Sequence, residues 1–337
     1  MTSTAFPRVC ILGAGAIGGW LGVGLAAAPQ AENEAATQVS VVARGATLEA
    51  LQQHGLRLQQ GDVTRSVAVR ASADPAALGV QDLVVIAVKA PSLLAVARQI
   101  GPLIGPDTVV LTAMNGVPWW FLEGFGGAHA GQRLQAVDPT GEIARAIPAA
   151  QVVGGVVHSS CSLNGPGHVR HHFGNGLIIG TPSGQTSERV QALVALLQRA
   201  GFAASVSAQI QRDVWYKLWG NMTVNPISAF TGATTDLILG DPLVRSFVSS
   251  VMLEARAIGA AIGIPIDQQP EDRHAITMKL GAFKTSMLQD VEAGRAVELD
   301  ALVSAVRELA QLTGIATPHT DALLGLSRLH ARVHGLY

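Results

Sequence analysis

The sequence contains few cysteines, few charged residues and no block of one charge. It has 2 cysteines, and charged residues make up 14% of its 337 residues, with a net charge of −1. Because lysine and arginine occur singly, the composition argues against nucleic acid or an anionic membrane as the main partner. The two cysteines, Cys10 and Cys161, fit a reducing compartment.

Long hydrophobic segments are also absent. No uncharged apolar segment approaches the ~18 residues that a membrane-spanning helix needs. Residues 1–8 lead directly into a strand-like segment without the apolar core of a signal peptide. The sequence therefore predicts a cytoplasmic protein with no membrane partner.

Apolar residues, in contrast, make up 48% of the chain, so disorder is excluded and two domains with substantial cores are expected. Strand-like segments alternate with helical patterns such as 91–100, which predicts βαβ units and a parallel sheet with helices on both faces. Those segments are 8–12, 38–43, 83–88 and 108–112. Shorter ones follow at 152–161, 167–173 and 176–179, with a predicted hairpin turn at Gly174-Asn-Gly176.

Helical patterns replace strands after residue 209. They cover 211–230, 243–262, 271–283, 286–291 and 299–312. We therefore predict an α/β chain with two domains. Residues 1–207 form a Rossmann-type doubly wound sheet with added antiparallel strands, and residues 208–337 form an all-α domain for substrate binding and dimerisation. The apolar helices of that domain are compatible with a homodimer.

The first strand-like segment ends in a glycine-rich turn that opens a helix. In this context the spacing Gly-x-Gly-x-x-Gly predicts a dinucleotide site. Gly13 permits the tight turn, Gly15 lets the pyrophosphate approach the backbone, and Gly18 lets the helix pack close to the strand. The predicted cofactor-binding residues of the turn are Gly13, Ala14, Gly15, Ala16, Ile17 and Gly18.

The end of the second strand-like segment bears on the choice of cofactor. An NAD-specific site would place an acidic residue there to bind the ribose 2′-hydroxyl, but the chain has Arg44. An arginine suits a 2′-phosphate, so NADPH is the predicted cofactor. The alternative is a solvated charge at the end of a strand.

Lys217, Asn221 and Asn225 recur every four residues within a segment rich in tryptophan and aliphatic residues. On a helix this spacing places the three side chains on one face. Polar groups in an apolar environment need partners, because an unpaired buried polar group is costly. A polar small molecule is one candidate partner, and a capped or water-bridged helix face is the other.

Four more segments follow in a fixed order: Val88-Lys89-Ala90, Asn115-Gly116, Ser286-Met-Leu-Gln-Asp290 and Gly294-Arg-Ala-Val-Glu298. Together with the glycine turn and the lysine–asparagine segment, they resemble the ketopantoate reductase family (2-dehydropantoate 2-reductases) over nearly the whole chain. The resemblance implies NADPH-dependent reduction of an α-keto acid to a 2-hydroxy acid, with 2-dehydropantoate (ketopantoate) as the first expected substrate and pantoate as its product.

The resemblance also implies roles for individual residues. Lys217 is similar to the family's catalytic lysine, which would act as general acid, and Glu298 to its active-site glutamate. Asn221, Asn225 and Ser286 match positions that hold the carboxylate and hydroxyl of the substrate. Asn115 and Lys89 match residues at the junction of cofactor and substrate.

Several of these residues have ordinary structural explanations as well. Ser286 with Gln289 forms a capping-box pattern, and Glu298 suits the start of a helix. Lys89 could be a surface charge and Asn115 a turn residue, while Asp290 reads as a helix-surface acid.

No metal site and no cysteine nucleophile are predicted. His168, His171 and His172 cluster in the predicted hairpin, but their spacing matches no standard ligand set. No motif near Cys161 supplies a base at a recognisable spacing.

The chain departs from the family pattern at Trp119 and Trp120, which lie in a longer connection, and at Val297, where the family usually has threonine. The two tryptophans either shape the substrate pocket or cover the domain cleft. The leading hypothesis is an α-keto acid reductase with its active site between the two domains. The alternatives are a related dehydrogenase for a bulkier, aromatic 2-keto acid and a non-catalytic NADPH-sensing protein.

Overall fold

The structure, a computed structural model, describes residues 5–30 and 36–337 and divides the chain into two compact units. The first unit consists of the residues up to Met114 together with Gly141–Ile210, and the second of Asn115–Thr140 together with Gln211–Tyr337.

Residues 115–140 lie in the second unit, whereas the sequence predicts them within the first domain. The cause is the apolar segment that follows Gly116. Phe121 is fully buried and packs with Trp215, at 5.9 Å between ring centroids. The side chains of this connection thus belong to the core of the helical unit, which a contiguous division of the sequence could not show.

The first unit is built on one ten-stranded sheet. Its strands are β1 (Arg8–Leu12), β2 (Gln38–Val42), β3 (Leu56–Gln60), β4 (Val63–Val67), β5 (Arg70–Ser72), β6 (Leu83–Ile86), β7 (Val109–Thr112), β8 (Val152–Gly165), β9 (His168–Gly180) and β10 (Ala203–Val206). The order across the sheet is β4-β3-β9-β8-β7-β6-β1-β2-β5, and β10 pairs with β9. The predicted Rossmann-type sheet with added antiparallel strands is confirmed.

The central strands β2, β1, β6, β7 and β8 run parallel. All residues of β6 and β7 are buried, as expected for parallel strands covered on both faces. The helices of this unit are α1 (Ala16–Ala26), α2 (Gly45–His54), α3 (Leu93–Ala97), α4 (Glu142–Ala146) and α5 (Glu188–Arg199). The predicted helix 91–100 is shorter than expected, because Ala90–Ser92 forms a 3-10 turn before α3.

The predicted hairpin turn at Gly174-Asn-Gly176 is wrong. Strand β9 continues through these residues, and the chain reverses instead at Pro166 and Gly167. Gly174 has a φ of +78° and sits in a β-bulge, because the pairing of β8 with β9 shifts register between His158 and Ser160. The glycine signal was real, but it marked a bulge rather than a turn.

The second unit is helical, and no strand occurs in residues 115–140 or 211–337, all of which the structure describes. Its helices are α6 (Ile210–Thr231), α7 (Thr235–Gly240), α8 (Pro242–Ala261), α9 (Pro270–Met278), α10 (Ser286–Glu292), α11 (Ala305–Thr313) and α12 (Pro318–Val333). A π-helical turn at Asp300–Ser304 precedes α11. The all-α prediction is confirmed, although α9 ends earlier than the predicted 283.

Helix α6 forms the core of this unit. Trp215 and Trp219 are each 1% exposed, and the Trp219 indole donates a hydrogen bond to the carbonyl of Met252 on α8 at 2.7 Å. Burial of these large side chains fixes the rotation of α6 and therefore the direction of its polar face. In the part of the chain that the structure describes, we find no helix with the length and hydropathy needed to cross a membrane.

Candidate active site

The Lys217 side chain is held by an asparagine from a distant part of the sequence. Its Nζ donates a hydrogen bond to Oδ1 of Asn115 at 2.8 Å. Both residues are half-buried and both belong to the second unit. The bond leaves the remaining N–H groups of the ammonium to bind other acceptors.

The turn that presents Asn115 needs glycine at the next position. Gly116 has a φ of +85°, and a Cβ there would lie 2.6 Å from the Ala301 Cβ. The next residue, Val117, donates its backbone N–H to the Ala301 carbonyl at 2.8 Å. Asn115 is thus anchored on the π-helical turn that begins two residues after Glu298.

Glu298 is 5% exposed and its field acts on Lys217. Burial lowers the pKa of Lys217 to about 8, the Glu298 carboxylate opposes this shift, and the Arg273 guanidinium adds to it. Lys217 is therefore an ammonium at neutral pH whose proton is much more available than that of a solvated lysine. This is the property expected of a general acid.

Arg273, on α9, was not singled out from the sequence. A Cβ at Gly220 on α6 would lie 2.7 Å from the Arg273 Nε, and the guanidinium carbon lies 5.3 Å from the centroid of the Tyr216 ring. A glycine in the middle of a helix costs stability and often marks a close approach. In the sequence, the glycine at position 220 within a predicted helix is the feature that indicates close packing of another segment on α6.

The helix predicted over 211–230 is confirmed as α6, so Asn221 and Asn225 follow Lys217 on one face. Asn221 is half-buried, and Asn225 is 6% exposed. Their predicted roles as substrate ligands stay predictions.

Ser286 is the first residue of α10 and is exposed. The capping-box interpretation of Ser286 is wrong, because Thr285 caps this helix and accepts a hydrogen bond from the Leu288 N–H at 3.2 Å. Asp290 is not a surface acid either. Its side chain is 4% exposed and forms an ion pair with Arg295 at 3.0 Å.

The glycine turn of the first unit has the geometry that each glycine requires. Gly13 has a φ of +96°, and a Cβ at Gly18 would lie 1.9 Å from the Gly13 carbonyl oxygen. A Cβ at Gly15, the residue that precedes α1, would meet no atom within 4 Å. The turn therefore leaves open space beside the first backbone N–H groups of a helix, where an anionic pyrophosphate fits. Ala14, Ala16 and Ile17 fill the remaining positions of this turn.

Arg44 and Lys89 lie near the same edge of the sheet as this turn. Arg44 follows β2 and precedes α2, and Lys89 follows β6 and precedes a 3-10 turn. Because β2 and β6 flank β1 in parallel, their carboxyl ends meet beside Gly13. Arg44 is exposed and its guanidinium donates a hydrogen bond to the Gln99 side chain, which holds it in place.

Comparison with known proteins identifies the family of this chain. The model for the ketopantoate reductases PanE/ApbA matches residues 9–184, and the model for the C-terminal domain of the same proteins matches residues 209–331. The chain belongs to the ketopantoate reductase family.

Similar proteins support the same assignment. A 2-dehydropantoate 2-reductase of Mesorhizobium japonicum is 46% identical over 98% of this chain and 99% of its own length. A Ralstonia solanacearum protein, named a candidate ketopantoate reductase, is 56% identical with a TM-score of 0.93 over 99% of this chain and all of its own. D-mandelate dehydrogenase bound to NADH and anilino(oxo)acetate shares the fold, with 20% identity and a TM-score of 0.80 over 98% of this chain and 100% of its own. As a member of the ketopantoate reductase family, the present chain is an oxidoreductase acting on a CH–OH group.

The tryptophans that depart from the family pattern are core residues. Trp119 is 6% exposed and Trp120 is 1% exposed, both in the second unit. Substitution at Trp120 is therefore expected to act first on stability.

The cysteines and the histidines of β9 were also considered as candidate site residues. Burial raises the pKa of the Cys10 and Cys161 thiols to about 11, so both are protonated at neutral pH. His171 Nε2 lies 2.6 Å from the Gly174 carbonyl, and His172 Nε2 lies 2.9 Å from the Ser162 hydroxyl. Within residues 5–30 and 36–337, no group of three or more histidine, cysteine or acidic side chains is arranged to hold a metal ion.

Proposed function

We propose that this protein reduces an α-keto acid to a 2-hydroxy acid with NADPH, with 2-dehydropantoate as the first candidate substrate and Lys217 as general acid. The observation that carries the proposal is the Lys217 ammonium, whose pKa burial lowers to about 8 and whose Nζ is bonded to Asn115 at 2.8 Å. The family assignment adds the reaction class. The choice of NADPH rests on Arg44 at the end of β2.

When bound, NADPH supplies a hydride to the ketone carbon. Negative charge then develops on the ketone oxygen, and Lys217 both stabilises that charge and donates the proton that quenches it. Asn115 accepts one N–H of the ammonium and so directs the others. Glu298 favours the charged form of the amine and thus keeps the proton on Lys217 until the reaction needs it.

The direct test is NADPH oxidation over ketopantoate and a series of branched and aromatic 2-keto acids. We expect turnover with at least one branched 2-keto acid. Preference for aromatic 2-keto acids would instead favour a dehydrogenase for bulkier substrates. Tight NADPH binding without turnover on any member of the series would overturn the proposal in favour of an NADPH sensor.

The titration of Lys217 predicts the pH dependence of the reaction. Reduction needs the protonated amine, so its kcat/KM should be level below a pH of about 8 and fall above it, by about tenfold per pH unit. Oxidation of the 2-hydroxy acid needs the neutral amine, so its rate should rise through the same range. Initial rates in both directions measure this, and parallel profiles for the two directions would contradict it.

Arg44 predicts a preference for NADPH over NADH. Replacing Arg44 with alanine should raise the KM for NADPH by about tenfold or more, because a hydrogen bond to a charged group contributes about 1.5–3 kcal/mol. The KM for NADH, which has no 2′-phosphate, should change little. Arg65→Ala is the control, since Arg65 is an exposed arginine on β4 of the same unit. An equal loss with both cofactors would place Arg44 outside the 2′-phosphate site.

A further inference from the structure

Arg273 carries a guanidinium that the proposed chemistry does not yet use. Its Nε is buried and has no hydrogen-bond partner among the described residues. A charged donor that is removed from water without a partner is destabilising. A ligand that brings an acceptor to this guanidinium would offset that cost.

The position of Arg273 relates it to the general acid. The guanidinium lies over Gly220, three residues after Lys217 on α6, and beside Tyr216, which precedes Lys217. Residues three apart on a helix are neighbours on its surface. Arg273 therefore brings a second cation to the part of α6 that presents Lys217, and its charge adds to the lowering of the Lys217 pKa.

Two cations and a buried carboxylate determine the electrostatics of this part of α6. The Arg273 guanidinium lowers the pKa of Lys217, and the Glu298 carboxylate opposes that shift. A carboxylate ligand suits a guanidinium, because the planar group can bind both of its oxygens.

We propose that Arg273 binds the carboxylate of the 2-keto acid and thereby places the adjacent ketone oxygen at Lys217. This assignment rests on the proposed function and deepens it. In an α-keto acid the two groups occupy neighbouring carbons, so the Lys217 ammonium of α6 and a guanidinium that α9 places against α6 match two neighbouring oxygen-bearing groups. Arg273 would select for 2-keto acids against neutral ketones, and Lys217 would transfer the proton.

The test compares a charged substrate with its neutral analogue. In Arg273→Met, the KM for the preferred 2-keto acid should rise about 10- to 100-fold, because an interaction with a charged group is lost. The KM for the primary amide of the same keto acid should stay close to the wild-type value, and kcat should change far less than KM. Arg307→Met is the control, because Arg307 is an arginine of the same unit that is paired with Asp321 at 2.7 Å.

A purely structural Arg273, held by its contact with Tyr216, predicts another result. The variant would then lose thermal stability and lose activity on acid and amide alike, which would overturn the assignment. Unchanged KM values would do the same. The pH profile gives a second readout, since removing Arg273 should move the descending limb of the reduction profile to higher pH.

Gly220→Ala tests the same geometry without removing the charge. The added methyl group would lie 2.7 Å from Nε and 3.0 Å from Nη2 of Arg273, so the guanidinium must move away from α6. Alanine is the better helix former, so the helix itself should not be weakened. We expect the KM for the 2-keto acid to rise in the same sense as in Arg273→Met, and a wild-type KM would contradict the placement.

Failure of this inference can be separated from failure of the proposed function. Oxamate, a non-reducible analogue that carries the same carboxylate, can be titrated while tryptophan fluorescence is followed, with no turnover required. We expect oxamate to bind the wild-type protein and to bind Arg273→Met at least about tenfold more weakly. Equal binding to both proteins would overturn the role of Arg273 even if reductase activity were fully established.

Discussion

Replacing Lys217 with alanine is expected to lower kcat for keto acid reduction by about 10²- to 10⁴-fold, the usual contribution of a positioned general acid. The Kd for NADPH should stay near the wild-type value, because the glycine turn belongs to the first unit and Lys217 to the second. Rapid-mixing or steady-state measurement of NADPH oxidation, combined with a fluorescence titration of NADPH, separates the two quantities. The residual activity should also have lost the pH limb near 8.

A matched lysine distinguishes loss of the general acid from a general effect of removing charge. Lys279 directly follows α9 of the same unit and is exposed, so Lys279→Ala should keep the wild-type rate. Glu298→Ala should lower turnover as well, because the carboxylate that favours the protonated Lys217 is lost. If Lys217→Ala and Glu298→Ala both retained wild-type rates on the true substrate, the assignment of Lys217 would be wrong.

The sequence correctly predicted the buried strands, because burial on both faces of a sheet requires a continuous segment of apolar residues. Strands β1, β6 and β7 are almost wholly buried, so each appears as a short, continuous apolar segment. Strand β4, in contrast, has four exposed residues out of five and showed no such pattern. Pairing with β3 stabilises it, and such pairing leaves no hydrophobic pattern in the residues of the strand itself.

The candidate site divides in the same way. Lys217, Asn221 and Asn225 lie on one helix, so their spacing predicted a shared face, and α6 bears this out. The bond from Lys217 to Asn115 joins residues 102 positions apart, and only the family resemblance assigned both residues to one site. Arg273 comes from a third segment, α9. The sequence indicates the close packing of this segment on α6 only through the glycine at position 220.

Ser286 and Asp290 show how a local pattern can mislead. Ser286 and Gln289 have the spacing of a capping box, but Thr285 is one residue earlier and is the actual cap. Asp290 follows a polar residue on a short helix, yet it is buried through its ion pair with Arg295. The predicted homodimer and the roles of Asn221, Asn225, Ser286 and Lys89 stay predictions.

Substitutions in the glycine turn should separate cofactor binding from folding. Gly15 has a φ of −76°, which alanine adopts readily, and its Cβ would meet no protein atom within 4 Å. Gly15→Ala should therefore fold and melt like the wild type. The new methyl group would occupy the space through which the pyrophosphate reaches the backbone, so NADPH affinity should fall roughly 100-fold or more, as expected when two or more charge-assisted hydrogen bonds are lost.

Gly18→Ala should behave differently, because its Cβ would lie 1.9 Å from the Gly13 carbonyl oxygen. The turn itself must shift, so both NADPH affinity and the melting temperature should fall. Gly101→Ala is the control, since a Cβ at Gly101 meets nothing within 4 Å and the residue lies outside the turn. Wild-type NADPH affinity in Gly15→Ala would show that the nucleotide does not use this space, whatever the fate of Gly18→Ala. Lost affinity with an unchanged melting temperature would instead tie the open space beside α1 to the cofactor, because no disturbance of folding could then account for the loss.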